Sequence, residues 1–135
     1  MKKRILIVDD QTDYSLLMIA LREYEIRVEC DSTRAMATAL EFQPDIFLLD
    51  MIMPEMHGTD LAEEIRRDAC FQSTPIIFVS ALVHSRRNDG KPVQIGDYPA
   101  LGKPFSVAEL RRCISEHLAG GCPGEPISPG ILAGS

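Results

Sequence analysis

Three short runs along the chain are apolar at every position, and each ends on an oxygen-bearing side chain. Ile5-Leu6-Ile7-Val8 stops at Asp9-Asp10, Ile46-Phe47-Leu48-Leu49 at Asp50, and Ile76-Ile77-Phe78-Val79 at Ser80. Branched and aromatic residues without polar alternation suit strands covered on both faces. Between the runs lie segments with helical spacing: Leu17, Leu21 and Tyr24, then Met36, Ala39 and Leu40, then Leu61, Ile65 and Ala69. Ile26 to Cys30 alternates apolar and polar, as a strand near a sheet edge does, and Ser32 is the expected N-cap of the helix after it. Strands alternating with amphipathic helices predict an α/β fold, a doubly wound parallel sheet covered on both sides.

Toward the end of the chain, Ser106-Val107-Ala108-Glu109 has capping-box spacing, and Leu110, Ile114 and Leu118 share one helical face before Gly120. Lys103-Pro104-Phe105 just ahead of this helix closes a fifth expected strand. Residues 85–92 carry no apolar side chain except Pro92, and Asn88-Asp89-Gly90 favours a turn, so the fourth helix is expected to be short, displaced or missing. Eight of the last sixteen residues are Gly or Pro, a composition that buries too little apolar area to offset its ordering entropy. The expected division is one domain over 1–119 and a flexible tail or linker stump over 120–135.

Composition narrows the function classes. With 14 basic and 20 acidic residues the net charge is -6, which opposes direct binding to nucleic acid or to an anionic membrane. The apolar runs are far shorter than the roughly 20 residues of a membrane-spanning helix. The apolar stretch after Lys2-Lys3-Arg4 is too short for a secretory signal, so a cytoplasmic location is expected. Cys30, Cys70, Cys113 and Cys122 form no paired motif and read as reduced, mostly packing thiols. His57, His84 and His117 lack ligand spacing, and Met51, Met53 and Met56, in a loop beside Asp50, read as packing or as adapting to a partner.

In an open parallel sheet the ligand crevice lies beyond the carboxyl ends of the strands, so Asp9, Asp10, Asp50 and Ser80 are expected to converge. Three close carboxylates repel one another, and a hard divalent cation such as Mg2+ relieves that repulsion. Lys103 can aim its ammonium at the same crevice. Carboxylates, a cation, a hydroxyl and a lysine suit the handling of a phosphoryl group, with Asp50 as nucleophile and an aspartyl phosphate as product.

Over roughly residues 3 to 118 the chain resembles the receiver domain of bacterial two-component response regulators. The matching residues are Asp9-Asp10, Asp50, Met53-Pro54 with Gly58, Ser80-Ala81 and Lys103-Pro104-Phe105, in that order at successive strand ends. The resemblance implies a flavodoxin-like five-stranded sheet of order 2-1-3-4-5. It implies that Asp50 accepts a phosphoryl group from a phosphohistidine on a sensor histidine kinase or phosphotransfer protein. It also implies that Asp10, Asp50 and the main-chain carbonyl of Ile52 hold Mg2+ directly, with Asp9 acting through water. Ser80 and Lys103 would contact the phosphoryl oxygens, and the Lys103-Pro104 bond would be cis.

One departure concerns the switch. Relatives carry an aromatic residue three positions before the lysine, where this chain has Ala100. Tyr98 lies two residues earlier on the same strand face by the period of two, and is the substitute candidate. With the irregular 85–92 segment, this predicts a partner mode unlike the usual symmetric dimer. The leading expectation is a phosphorylation-controlled protein-binding switch in signal transduction, standing alone or cut from a longer regulator, with no enzymatic turnover of an external substrate. Two rivals remain. One is a degenerate receiver that binds partners without phosphate. The other is an aspartate-nucleophile phosphatase, which needs a general-acid aspartate where this chain has Ile52.

Overall fold

The computed structural model describes residues 2–10, 14–51, 53, 56–80, 93–95, 98–102 and 105–120. The three apolar runs form β1 (Arg4–Val8), β3 (Ile46–Asp50) and β4 (Ile76–Ser80), and the alternating segment forms β2 (Glu25–Glu29). A short β5 (Val93–Ile95) precedes β6 (Tyr98–Gly102). The helices are α1 (Ser15–Ala20), α2 (Ala35–Phe42), α3 (Gly58–Arg67) and α4 (Val107–Gly120).

The sheet order is β2-β1-β3-β4-β6-β5. Strands β2, β1, β3, β4 and β6 run parallel, which is the flavodoxin-like order 2-1-3-4-5 expected from the sequence. The sheet has a sixth strand that the sequence pattern did not predict: β5 pairs antiparallel with β6, matching Ile95 to Tyr98. Three residues are too few for a period of two to register, so this strand is visible only through its pairing. The expected turn over 85–92, the shortened fourth helix and all of the expected 120–135 tail beyond Gly120, the last residue of α4, lie outside the described residues.

The period of two divides the apolar runs between two cores. Leu6, Val8, Phe47, Leu49, Ile76, Phe78 and Ala100 face α2 and α3, while Ile5, Ile7, Ile46, Leu48 and Ile77 face α1 and α4. Phe71 fills the first core edge-on against Phe47 at 5.3 Å. The second core closes with Leu17 and Leu21 from the α1 segment and Leu110 and Ile114 from α4. The capping box forms as expected: the Ser106 N–H donates to Glu109 Oε1 at 2.9 Å and the Glu109 N–H to Ser106 Oγ at 3.0 Å.

Four local expectations are corrected. Ser32 does not cap α2: Asp31 caps a 3₁₀ turn over Ser32–Arg34 by accepting from the Thr33 N–H, and α2 begins only at Ala35. The Asp31 carboxylate wins because it also takes the Thr33 hydroxyl at 2.6 Å, which holds its pKa below the usual range. Leu40 points to solvent, and the buried face of α2 is Ala35, Thr38, Ala39 and Phe42. Ala69 lies past the end of α3, in a 3₁₀ turn that Asp68 caps through the Cys70 N–H. Cys30 and Cys70 are exposed, so among the described thiols only Cys113 packs, and burial pushes its pKa up to about 11.

Candidate functional site

The carboxyl ends of β1 and β3 bring three acids together. Asp9 and Asp10 follow β1 directly and Asp50 is the last residue of β3, and one oxygen from each lies within 4.8 Å of the others. Asp9 is fully buried and Asp50 is 8% exposed. At the effective dielectric of a protein, ionised carboxylates this close repel by about 3 to 4 kcal/mol per pair. The parallel ladder imposes the arrangement, since β1 and β3 are neighbours and each apolar run stops at the same end of the sheet.

The surrounding main chain is tightly held. The Asp9 N–H donates to the Glu29 carbonyl at 3.2 Å, the Met51 N–H to Val79 at 3.2 Å and the Gly58 N–H to Met51 at 2.8 Å. Gly58 opens α3 so close to β3 that a side chain there would run into the Asp50 carbonyl oxygen. Met53 is buried next to these residues, with Met51 and Met56 packed against the same core, so the methionines around Asp50 are packing residues as expected.

Ser80 ends β4 and is buried. The register pairs Asp50 with Val79, which sets Ser80 one position beyond Asp50 on the adjacent strand. Lys103, one residue past β6, lies outside the described residues, as do Ile52, the Lys103-Pro104 bond, Pro54, Ala81, His84 and Cys122. His57 is exposed ahead of α3, and His117 sits on α4 with Nδ1 2.8 Å from the Cys113 carbonyl oxygen. Among the described residues neither histidine joins a group that could hold a metal.

Ala100 is buried opposite Phe78, and Tyr98 reaches the same core from the same face of β6. The pairing of β6 with β4 begins at Ala100, so Pro99 is not called on to donate to β4. The Tyr98 ring meets Phe78 edge-on at 5.4 Å, and the Arg66 guanidinium of α3 lies 5.4 Å from the ring centroid.

One residue at the site was not singled out from the sequence. Tyr14, buried just ahead of α1, donates its hydroxyl to Asp9 Oδ2 at 2.9 Å. Its place in an apolar pattern is equally consistent with a phenylalanine, so the sequence carries no sign of the hydrogen bond.

Among the described residues the acidic group at the strand ends offers carboxylate oxygens, a donor set that suits a hard dication and not a soft one. Asp9, Asp10 and Asp50 fit such an ion by charge and chemistry.

Comparison with known proteins points the same way. The chain is 30% identical over 111 residues to the DNA-binding dual master transcriptional regulator RpaA of a Synechocystis species, covering 79% of this chain and 45% of that protein. It is 34% identical over 119 residues to the DNA-binding response regulator MtrA of Mycobacterium tuberculosis, covering 82% and 48%. The chain thus spans about half the length of the curated relatives it matches. Among solved structures, the receiver domain of sensor histidine kinase PA1611 from Pseudomonas aeruginosa, with magnesium coordinated in its active-site cleft, superposes with a TM-score of 0.70 at 24% identity, covering 88% of this chain and 99% of that one. Residues 5–115 match the response regulator receiver domain, and the chain belongs to that family.

Proposed function

We propose that Asp50 is the phosphoacceptor of this receiver domain, charged by a phosphohistidine on a sensor histidine kinase or phosphotransfer protein. The observation that carries the reading is the meeting of Asp9, Asp10 and Asp50 at the ends of β1 and β3. Receiver domains as a family bind Mg2+ at an acidic site and are phosphorylated by histidine kinases. In this chain Asp10, Asp50 and the Ile52 carbonyl would hold the ion, with Asp9 acting through water. When bound, the ion supplies positive charge against the phosphoryl oxygens.

The chain's own residues do the rest. An Asp50 carboxylate oxygen forms the new P–O bond as the P–N bond of the donor imidazole breaks and its nitrogen keeps the electron pair. The backbone bonds around Met51 and Gly58 hold Asp50 in place for in-line attack. Ser80 and Lys103 take the remaining charged oxygens. The family is a signalling domain and not a typical enzyme, which favours a phosphoacceptor over the phosphatase rival.

In this reading phosphorylation changes which proteins the domain binds, and Tyr98, held between Phe78 and Arg66, serves in place of the aromatic missing at Ala100. The chain acts through protein partners in the cytoplasm, with the domain over 1–119 and residues 120–135 as a tail or linker stump. No helix among the described residues is long and apolar enough to cross a membrane. An output on DNA, as in the DNA-binding regulators RpaA and MtrA, would belong to sequence outside the receiver match.

The test is to incubate the protein and its Asp50→Asn variant with Mg2+ and acetyl phosphate and to follow intact mass. A phosphate-sized gain that the variant lacks supports the reading. No gain, with Mg2+ binding shown separately by calorimetry, overturns it in favour of a degenerate receiver.

A further inference from the structure

We propose that α1 is a contact face for a second copy of this chain, paired antiparallel with its own counterpart about a two-fold axis. This pairing does not depend on the phosphoacceptor role of Asp50. Among the described residues four large apolar side chains are exposed, and three of them lie on this one helix: Leu16 at 81%, Ile19 at 68% and Met18 at 39%. The fourth, Leu40, stands singly on α2, as apolar surface residues commonly do.

The fold does not need these three side chains. Leu17 and Leu21 already tie the α1 segment to the core, where they meet Leu110 and Ile114 of α4. A helix with one buried face ordinarily turns charge outward, and α3 does so with Asp60, Glu63 and Arg67. Helix α1, by contrast, contains no charged residue in its whole length. Neighbouring bare apolar side chains on an otherwise charged molecule mark a surface that another molecule covers.

The two ends of this face carry opposite charge, and that selects the occupant. At the start, the Tyr14 carbonyl accepts from the Met18 N–H while the Tyr14 hydroxyl donates to Asp9, so the acidic cluster with its part-exposed Asp10 borders α1 on that side. Past the other end, Arg22 is exposed and has no ion pair among the described residues, whereas Glu23 beside it is held by Arg111. A surface with acid at one end and an unpaired guanidinium at the other is complementary to itself after a half turn. In that arrangement Leu16 and Ile19 meet the same residues of the second copy, and each Arg22 approaches the acidic end of the other. A six-residue helix is small beside the roughly 800 Å² per partner of a standard interface, so the pair is weak and reversible.

The test is sedimentation of the full chain from micromolar to millimolar concentration. The mass is expected to rise toward that of a dimer and no further, since a two-fold contact closes on itself. Leu16→Ser and Ile19→Ser each remove apolar area that enters the pair twice, and each is expected to lower the association constant at least about tenfold. Arg22→Glu is expected to lower it several-fold at low salt and less at high salt. Leu40→Ser, on the other face of the sheet, is expected to change nothing. All four side chains are exposed, so the variants keep their cores. A chain that stays monomeric to millimolar concentration overturns the proposal, and so does association that survives Leu16→Ser combined with Ile19→Ser. Unaltered association in Arg22→Glu overturns the antiparallel arrangement. If the chain is monomeric and Leu16→Ser slows phosphate uptake from an autophosphorylated sensor histidine kinase but not from acetyl phosphate, the face belongs to the phosphodonor instead.

Discussion

A side chain on Gly58 would occupy the space of the Asp50 carbonyl oxygen and would bring its Cβ to 3.0 Å from the Met51 Cα. Both obstacles are main chain, so neither can swing aside. The first residue of α3 is therefore pressed against the strand end that carries the acidic cluster, and the Gly58 N–H uses that proximity to donate to Met51 at 2.8 Å.

Gly58→Ala tests this contact, and two effects of opposite sign compete in it. Replacing glycine by alanine within a helix ordinarily stabilises by about 1 kcal/mol. A collision with backbone in a packed interior costs about 1–3 kcal/mol. The collision is expected to win, giving a net loss of stability by urea denaturation. Since relief requires the chain after Asp50 to shift, phosphate uptake from acetyl phosphate should slow at least several-fold in the fraction that remains folded.

Tyr98 is held by two aromatic contacts, edge-on to Phe78 and beside the Arg66 guanidinium. Together these are worth about 1–2 kcal/mol beyond the ring's apolar burial, so Tyr98→Ala should lose more than that and Tyr98→Phe much less. The two variants also test the switch. On phosphorylation, amide shifts are expected to spread along 98–102 in wild type and Tyr98→Phe and to stop near Ser80 in Tyr98→Ala. Equal spreading in all three would remove Tyr98 from the route.

Arg111 of α4 joins the turn after α1, donating to Glu23 Oε2 at 2.7 Å and to the Ala20 carbonyl at 2.8 Å. The hydrogen bond from Arg111 holds the Glu23 carboxyl below its usual pKa. A carboxyl whose pKa is lowered by folding adds stability that is present above its unfolded value and is lost as pH falls through the folded one. The stability gap between wild type and Arg111→Ala should therefore be constant near neutrality and narrow as pH is stepped below the usual carboxylate range. Both partners are exposed, so the gap is expected to be small and to shrink with added salt. Urea midpoints across that range, at low and high ionic strength, check both points.

Much of the candidate site was legible in the sequence because its chemistry sits at strand ends. Asp9, Asp10, Asp50 and Ser80 each interrupt an apolar run, and an interruption of that kind is visible without knowing the fold. The capping box at Ser106 and Glu109 was equally visible, since both partners lie within one turn of helix. Where several local solutions compete, sequence reading failed: Ser32 and Asp31 can each cap a helix, and the Thr33 hydroxyl decides between them. Leu40 misled because helical spacing predicts a face without saying which face is covered.

The sequence alone determined that the segments of β1 to β4 are strands, that the sheet is covered on both faces, and which acids stand at the ends of the runs, because period and run length are properties of neighbouring residues. Only the tertiary structure decided that β5 adds an antiparallel edge to the parallel sheet, that Arg66 and Phe78 hold Tyr98, and that a phenol from the start of α1 reaches Asp9. These are pairings between segments, and a hydrogen bond or a ring contact depends on where two parts of the chain finally lie, which no local pattern records.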